Sequence, residues 1–97
     1  MDEQSAASVS LVWVVYVLRS KKDGRFYVGM TSSLERRVKE HNGGQNRSTR
    51  SRAPFEVIYL ERCGSRAEAR KREKYLKSGV GREFLKTLPL TGVYERG

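Results

Sequence analysis

The stretch from Leu11 to Met30, LVWVVYVLRSKKDGRFYVGM, decides how the rest of the chain must fold. Leu11 to Arg19 is a run of β-branched and aromatic residues without helical period, which predicts a strand buried on both faces. Lys21-Lys22-Asp23-Gly24 reads as a turn, and Arg25 to Met30 returns as a second strand, so the two form a β-hairpin. Side chains alternate along a strand, so Trp13 and Val15 face away from Val14 and Tyr16, while Tyr27 and Gly29 share one face. If that face is also Tyr16's, two phenols converge beside a residue with no side chain, where a backbone or a ligand can come close.

Downstream, Ser32 and Glu35 have capping-box spacing and open a helix that runs through His41 and stops at Gly43-Gly44. Gly43 to Pro54 is a polar, basic loop holding Arg47, Arg50 and Arg52 on the surface. Glu56 to Arg62 is a third strand. Ser65 and Glu68 form a second capping box, and their helix runs to about Ser78 and ends at Gly79. Gly81 to Leu88 adds a short helix, and Pro89 ends regular structure. This order predicts an α+β fold, a small, mostly antiparallel three-stranded sheet flanked by helices. Residues 1–10 read as a disordered leader, 11–88 as the domain and 89–97 as a C-terminal tail.

A chain of 97 residues is one small domain, burying roughly 60–65% of the surface that its unfolded form exposes. Twenty Lys and Arg against 11 Asp and Glu give a net charge of +9 and a pI near 10.1. Such an excess suits a polyanion, because Lys and Arg release counterions condensed on phosphates. A solvated basic surface or a ribosome-associated fragment is the plainer alternative. The single cysteine, Cys63, excludes an internal disulfide and reads as a partly buried structural thiol, which fits a reducing cytoplasm. Asp2 and Glu3 stand where a secretory leader would be positive, and Leu11 to Leu18 is far too short to span a bilayer.

Helical geometry selects the chemistry-bearing side chains. At about 100° per residue, Leu34 and Val38 point to the core, Arg37 and His41 edge the same face, and Arg36 and Lys39 point to solvent. An Arg at such an edge can simply lie along the sheet, and a lone His can end a helix. In the later helix Glu73 falls among the apolar positions Ala69 and Leu76. A carboxylate is buried only when paired or coordinating, and Arg70 and Lys77 stand at pairing distance along the helix. Tyr16 on its own would be core packing with a satisfied hydroxyl. Together, Tyr16, Tyr27, Arg37, His41 and Glu73 are a set that metal-assisted phosphodiester cleavage would use, Glu73 holding a hard divalent cation.

The order Val14-Val15-Tyr16, Tyr27-Val28-Gly29, Arg37, His41, Glu73 resembles the GIY-YIG endonuclease family, and most closely its short stand-alone bacterial members. The run from Tyr27 to His41 is very similar to the family's core, and the resemblance covers about residues 12–88. Val14 and Val15 replace the glycine and isoleucine of the first triplet. An asparagine that longer members place after the glutamate has no counterpart near residues 78–90. The resemblance implies a DNA endonuclease in which Glu73 binds one Mg²⁺ or Mn²⁺ and Arg37 clamps a phosphate oxygen. Tyr16 would take the proton of the attacking water, with Tyr27 or His41 passing it on and Gly29 allowing close approach. Lys21, Lys22, Arg25, Arg47, Arg50 and Arg52 would guide the strand by phosphate contacts, which carry no sequence information. Without a separate recognition domain the expectation is low specificity, single-stranded or branched DNA, no membrane, no small-molecule cofactor and a monomer. A non-catalytic nucleic-acid-binding module of the same fold, or an RNA-directed nuclease, is the alternative.

Overall fold

The computed structural model describes residues 12–47, 49–89 and 91–96; the expected leader, residues 1–10, lies outside them. Strand β1 (Trp13–Ser20) and strand β2 (Phe26–Thr31) form the expected antiparallel hairpin, with Tyr16 opposite Gly29. Helix α1 (Leu34–Asn42) leads into a loop containing one 3₁₀ turn, Arg50–Arg52. Strand β3 (Phe55–Cys63) then pairs antiparallel with the other side of β1. Helices α2 (Arg66–Lys77) and α3 (Gly79–Lys86) follow, and a last strand, β4 (Tyr94–Arg96), runs parallel to β3. The described residues thus make an α+β fold with a four-stranded mixed sheet in the order β2-β1-β3-β4, not the three antiparallel strands expected.

The extra strand lies beyond Pro89, where regular structure was expected to end. A parallel neighbour needs a crossover, and α2 with α3 supplies it. What docks so short a strand is its first side chain: Tyr94 stacks on Tyr59 with ring centroids 5.6 Å apart and meets Phe84 edge-on. Arg62 and Glu95 add an exposed ion pair across the two strands, which is worth little by itself.

Strand β1 is the centre of the molecule, with Val15, Tyr16, Val17 and Leu18 all buried as expected for a strand covered on both faces. Val15 and Val17 join Val28, Ile58, Ala69, Leu76 and Leu85 beneath α2 and α3. Tyr16 and Leu18 join Phe55, with Leu34, Val38 and Tyr27 packed against them, beneath α1. A bulge opposite Val17 and Leu18 lets Ile58 and Tyr59, neighbours in sequence, enter the same layer.

The helix starts differ from the expected ones in two places. Helix α1 is capped at Ser33, whose side chain makes no capping bond, so the Ser32–Glu35 capping box does not form; the Ser33 N–H donates to Thr31 Oγ1 at 2.9 Å instead. Gly79 does not terminate the preceding helix but begins α3, because Ser78 Oγ accepts the Gly81 N–H. Gly81 permits this tight joint, since a Cβ there would collide with the backbone of Tyr75 and Leu76. The second capping box is nearly as read: Ser65 Oγ accepts from the Glu68 N–H at 3.1 Å, while Glu68 Oε1 accepts from Gly64 at 2.8 Å.

Candidate functional site

Alternation along the hairpin puts Tyr16, Tyr27 and Gly29 on one face, beneath α1. The two phenol rings lie 6.3 Å apart, centroid to centroid. Tyr16 passes over Gly29 so closely that a Cβ on Gly29 would stand 2.6 Å from its hydroxyl oxygen. The glycine therefore makes room for a side chain of the same face, and the phenol oxygen reaches towards the outer edge of β2.

Helix α1 adds the imidazole. His41 is fully buried, its ring 4.7 Å from that of Tyr27 and 6.0 Å from Phe55, and its Nε2 lies 3.3 Å from the Tyr16 hydroxyl. The other ring nitrogen, Nδ1, lies 2.7 Å from Thr49 Oγ1, a fully buried hydroxyl in the basic loop. That hydroxyl has one proton, and the Asn46 carbonyl at 3.5 Å accepts it. The network then assigns the imidazole proton to Nδ1 and leaves Nε2 as the acceptor for Tyr16. Thr49 was not singled out from the sequence. It is one hydroxyl in a loop of polar residues, and nothing in the local pattern marks it.

Electrostatics keep this pair neutral. Burial, then Tyr27, push the Tyr16 phenol up to about 12; Arg37 lowers it, while Glu73 and Glu40 raise it further. Arg37's lowering of the phenol is thus outweighed by desolvation. Burial and then the Arg37 guanidinium push His41 below the ordinary imidazole range, with Glu40 opposing. Both directions follow from placing ionisable rings in an apolar layer.

Arg37 borders the pair. Its side chain is 42% exposed and its guanidinium meets Glu40 at 3.5 Å, yet its Nε is buried and has no hydrogen-bond partner among the described residues. A buried donor left unmade costs about 1–3 kcal/mol, so an orphan of this kind is a place to look for a missing acceptor. Arg36 and Lys39 are exposed, as the helical wheel required.

Glu73 sits on α2, on the opposite layer from the phenols, and is only 7% exposed. Its oxygens are held by Lys77 Nζ at 3.1 Å and Arg70 Nη1 at 3.4 Å. The ion pair along the helix is therefore formed, and no hydrogen bond links Glu73 to Tyr16 or Arg37. Its charge nonetheless acts on Tyr16, because α2 packs against both β1 and β2. Among the described residues no three His, Cys, Asp or Glu side chains cluster as a metal cage. A single carboxylate still fits an ion of the Mg²⁺ kind, which takes most of its shell from water and substrate phosphate.

The cations expected to guide a strand divide by position. Lys21, Lys22, Arg25, Arg47 and Arg50 are exposed, and Arg52 is half-buried. The loop that bears the last three is fixed to the hairpin: Ser20 Oγ donates to the Arg52 carbonyl and Lys21 N–H to that of Pro54. Asn42 ties the end of α1 to Phe55 with bonds of 2.7 and 3.4 Å. Cys63 is buried, and burial raises its thiol above the ordinary range. No helix among the described residues is long and apolar enough to cross a membrane.

Residues 12–85 match the model of the GIY-YIG catalytic domain. A UPF0213 protein of Desulfotalea psychrophila is 43% identical over 67 residues, 67% of this chain and 60% of its own length. A UPF0213 protein of Clostridium perfringens is 35% identical over 84% of this chain and 87% of its own. The chain thus spans less than two thirds of the first relative and most of the second. The solution structure of a UPF0213 protein from Bacillus halodurans covers 78% of this chain and 83% of its own, with 34% identity and a TM-score of 0.49.

Proposed function

The chain belongs to the GIY-YIG catalytic domain family, and from that membership we propose that it is a divalent-metal-dependent endonuclease that hydrolyses phosphodiester bonds in DNA. The observation that carries the reading is the buried, unpartnered Nε of Arg37 beside the Tyr16–His41 pair. A non-bridging phosphate oxygen supplies the acceptor that this nitrogen lacks, and the planar guanidinium adds a second donor to the same group.

In this reading the water oxygen attacks phosphorus, the bond to the 3′ oxygen breaks, and the water's proton moves to Tyr16. A phenol pushed up to about 12 is protonated at neutral pH, so Tyr16 works as a relay: it passes its own proton to Nε2 of neutral His41 as it accepts the one from water. Tyr27 and Phe55 wall the imidazole from solvent, and Thr49 holds its tautomer. Glu73 is the residue that would hold Mg²⁺ or Mn²⁺, exchanging its pairs with Lys77 and Arg70 to do so. When bound, such an ion supplies positive charge for the leaving 3′ oxygen. The basic surface offers phosphate contacts, which carry no sequence information and favour low sequence specificity, with single-stranded or branched DNA as the proposed substrate.

The satisfied ion pairs of Glu73 favour a second reading, a nucleic-acid-binding module that does not cleave. Incubating single-stranded, duplex and forked DNA, and matched RNA, with Mg²⁺, Mn²⁺ or EDTA separates the two. Cleavage that needs a divalent ion and disappears in Arg37→Ala and Glu73→Ala supports the nuclease. Equal breakage by parent and variants, or none by the parent in either ion, refutes it.

A further inference from the structure

Three guanidiniums gather at the outer edge of β2 without a carboxylate among them. Arg25, next to the first residue of β2, Arg52, at the end of the 3₁₀ turn, and Arg82, on α3, line one cavity of about 350 Å³ together with Gly24 and Phe26. None of the three sits in an ion pair among the described residues. The nearby acid is Asp23, outside the lining, whose carboxyl the Arg25 N–H holds below the usual range, with Arg52 and Arg25 also acting on it. Three elements far apart in sequence thus bring like charges to one cleft. That arrangement concentrates positive potential where an anion can enter.

The cleft adjoins a second cavity, of about 210 Å³, with which it shares Phe26 and Arg82 and whose wall includes Tyr27, Leu76 and Lys77. That neighbour touches Lys77, the partner of Glu73. Planar forks converging from several sides suit a phosphate, and the apolar wall of Phe26, Leu76 and Leu85 suits a sugar or base beside it.

We propose that the Arg25–Arg52–Arg82 cleft is a second phosphate subsite, gripping a backbone phosphate of the nucleic acid other than the phosphodiester held at Arg37. The position of that bond rests on the nuclease reading; the subsite itself does not need cleavage to be seen. Anisotropy of a labelled single-stranded oligonucleotide, titrated in EDTA at several salt concentrations, reads it directly. Arg82→Ala should weaken binding about tenfold at low salt and reduce the slope of log K against log[salt] by about 0.7, one single-strand phosphate contact. Arg25→Ala/Arg82→Ala should weaken it further, with the thermal midpoint of these exposed-site variants unchanged. Lys71→Ala/Lys74→Ala removes two exposed cations of α2 outside this cleft and should leave slope and affinity close to the parent's. An unchanged slope in Arg82→Ala, an equal fall in the Lys71/Lys74 control, or no binding by the parent overturns the subsite. So does a result in which inorganic phosphate binding needs Arg82 but oligonucleotide binding does not. Absence of metal-dependent cleavage by the parent would instead sink the nuclease reading and leave this result standing.

Discussion

Tyr16 and Tyr59 are both buried, and they sit on adjacent strands in opposite layers of the sheet, Val17 being the register partner of Tyr59. Their bonding differs completely. Tyr59 donates to Glu61 at 2.6 Å, and Arg72 Nε closes on the same carboxylate at 2.9 and 3.0 Å. That network joins phenol, anion and cation, and it is saturated. Tyr16 has a longer bond, 3.3 Å, to an imidazole that burial keeps neutral, and the adjacent guanidinium nitrogen has no acceptor. A saturated network stabilises; an unsaturated one, held rigid by its surroundings, is ready for a substrate group. Bonding left incomplete thus marks Tyr16 and Arg37 as candidate site residues in a way that burial and residue type, which Tyr59 shares, do not.

The largest effects should come from Arg37, on the unsaturated side, and from Glu73, the proposed metal holder across the sheet. Arg37→Ala and Glu73→Ala should each lower metal-dependent cleavage by about 10²–10³-fold, while Glu73→Ala keeps its DNA affinity in EDTA. A Glu73→Ala protein that cleaves at the parent's rate removes Glu73 from the chemistry. Next comes the matched pair of hydroxyl deletions. Tyr16→Phe should cost about 10²-fold or more in rate, with little change in urea stability. Tyr59→Phe should do the reverse, losing about 1–3 kcal/mol because the Glu61–Arg72 pair loses a donor, with cleavage within about twofold of the parent. Similar losses of rate in both would erase the distinction between the layers.

Smaller effects sharpen the same contrast. Thr49→Val keeps shape but leaves His41 Nδ1 without an acceptor; it should cost about 1–2 kcal/mol and lower cleavage about tenfold through the wrong tautomer, with Thr49→Ser restoring both. The sign of the pH dependence follows from burial. His41 is held below 6.5 when folded, so cleavage should persist just below pH 6.5 and fall only as pH drops through the lowered value. Over the same window the unfolded chain takes up a proton that the buried ring refuses, so stability falls as pH drops below 6.5. At the alkaline end, Tyr16 keeps its proton to about 12 against 10.0 unfolded. The stability tied to it is complete below pH 10 and declines as pH climbs towards 12, a decline that Tyr16→Phe should reduce.

Features with a short repeat were legible in the sequence. Strand alternation put Tyr27 and Gly29 on one face, to which the hairpin register adds Tyr16, and the helical period separated Arg37 and His41 from Arg36 and Lys39. What escaped depends on contacts between distant segments. Three residues, Tyr94 to Arg96, are too few to carry a period, and they form a strand only because β3 offers an edge and Tyr59 a ring to stack on. The Ser32–Glu35 spacing pointed to Ser32 as the cap of α1, whereas the helix begins after Ser33, whose side chain makes no capping bond. Thr49 and Arg82 acquire their surroundings from the path of a loop and the crossing of a helix. For Glu73 the burial was legible, and so was the pairing; which of the two matters to the chemistry is left to the substitutions above.

The sheet ends differently on its two sides. Beyond β3, the short strand β4 occupies the open hydrogen-bonding positions with this chain's own backbone. Beyond β2, the rim is bare of such a cover among the described residues, and exposed strand rims invite other molecules to zip on and aggregate. Here the rim is lined by Arg25, Arg52, Arg82 and Lys77. Those charges would repel a second copy of the same rim, and the proposed phosphate subsite would use the same charges to receive a polyanion.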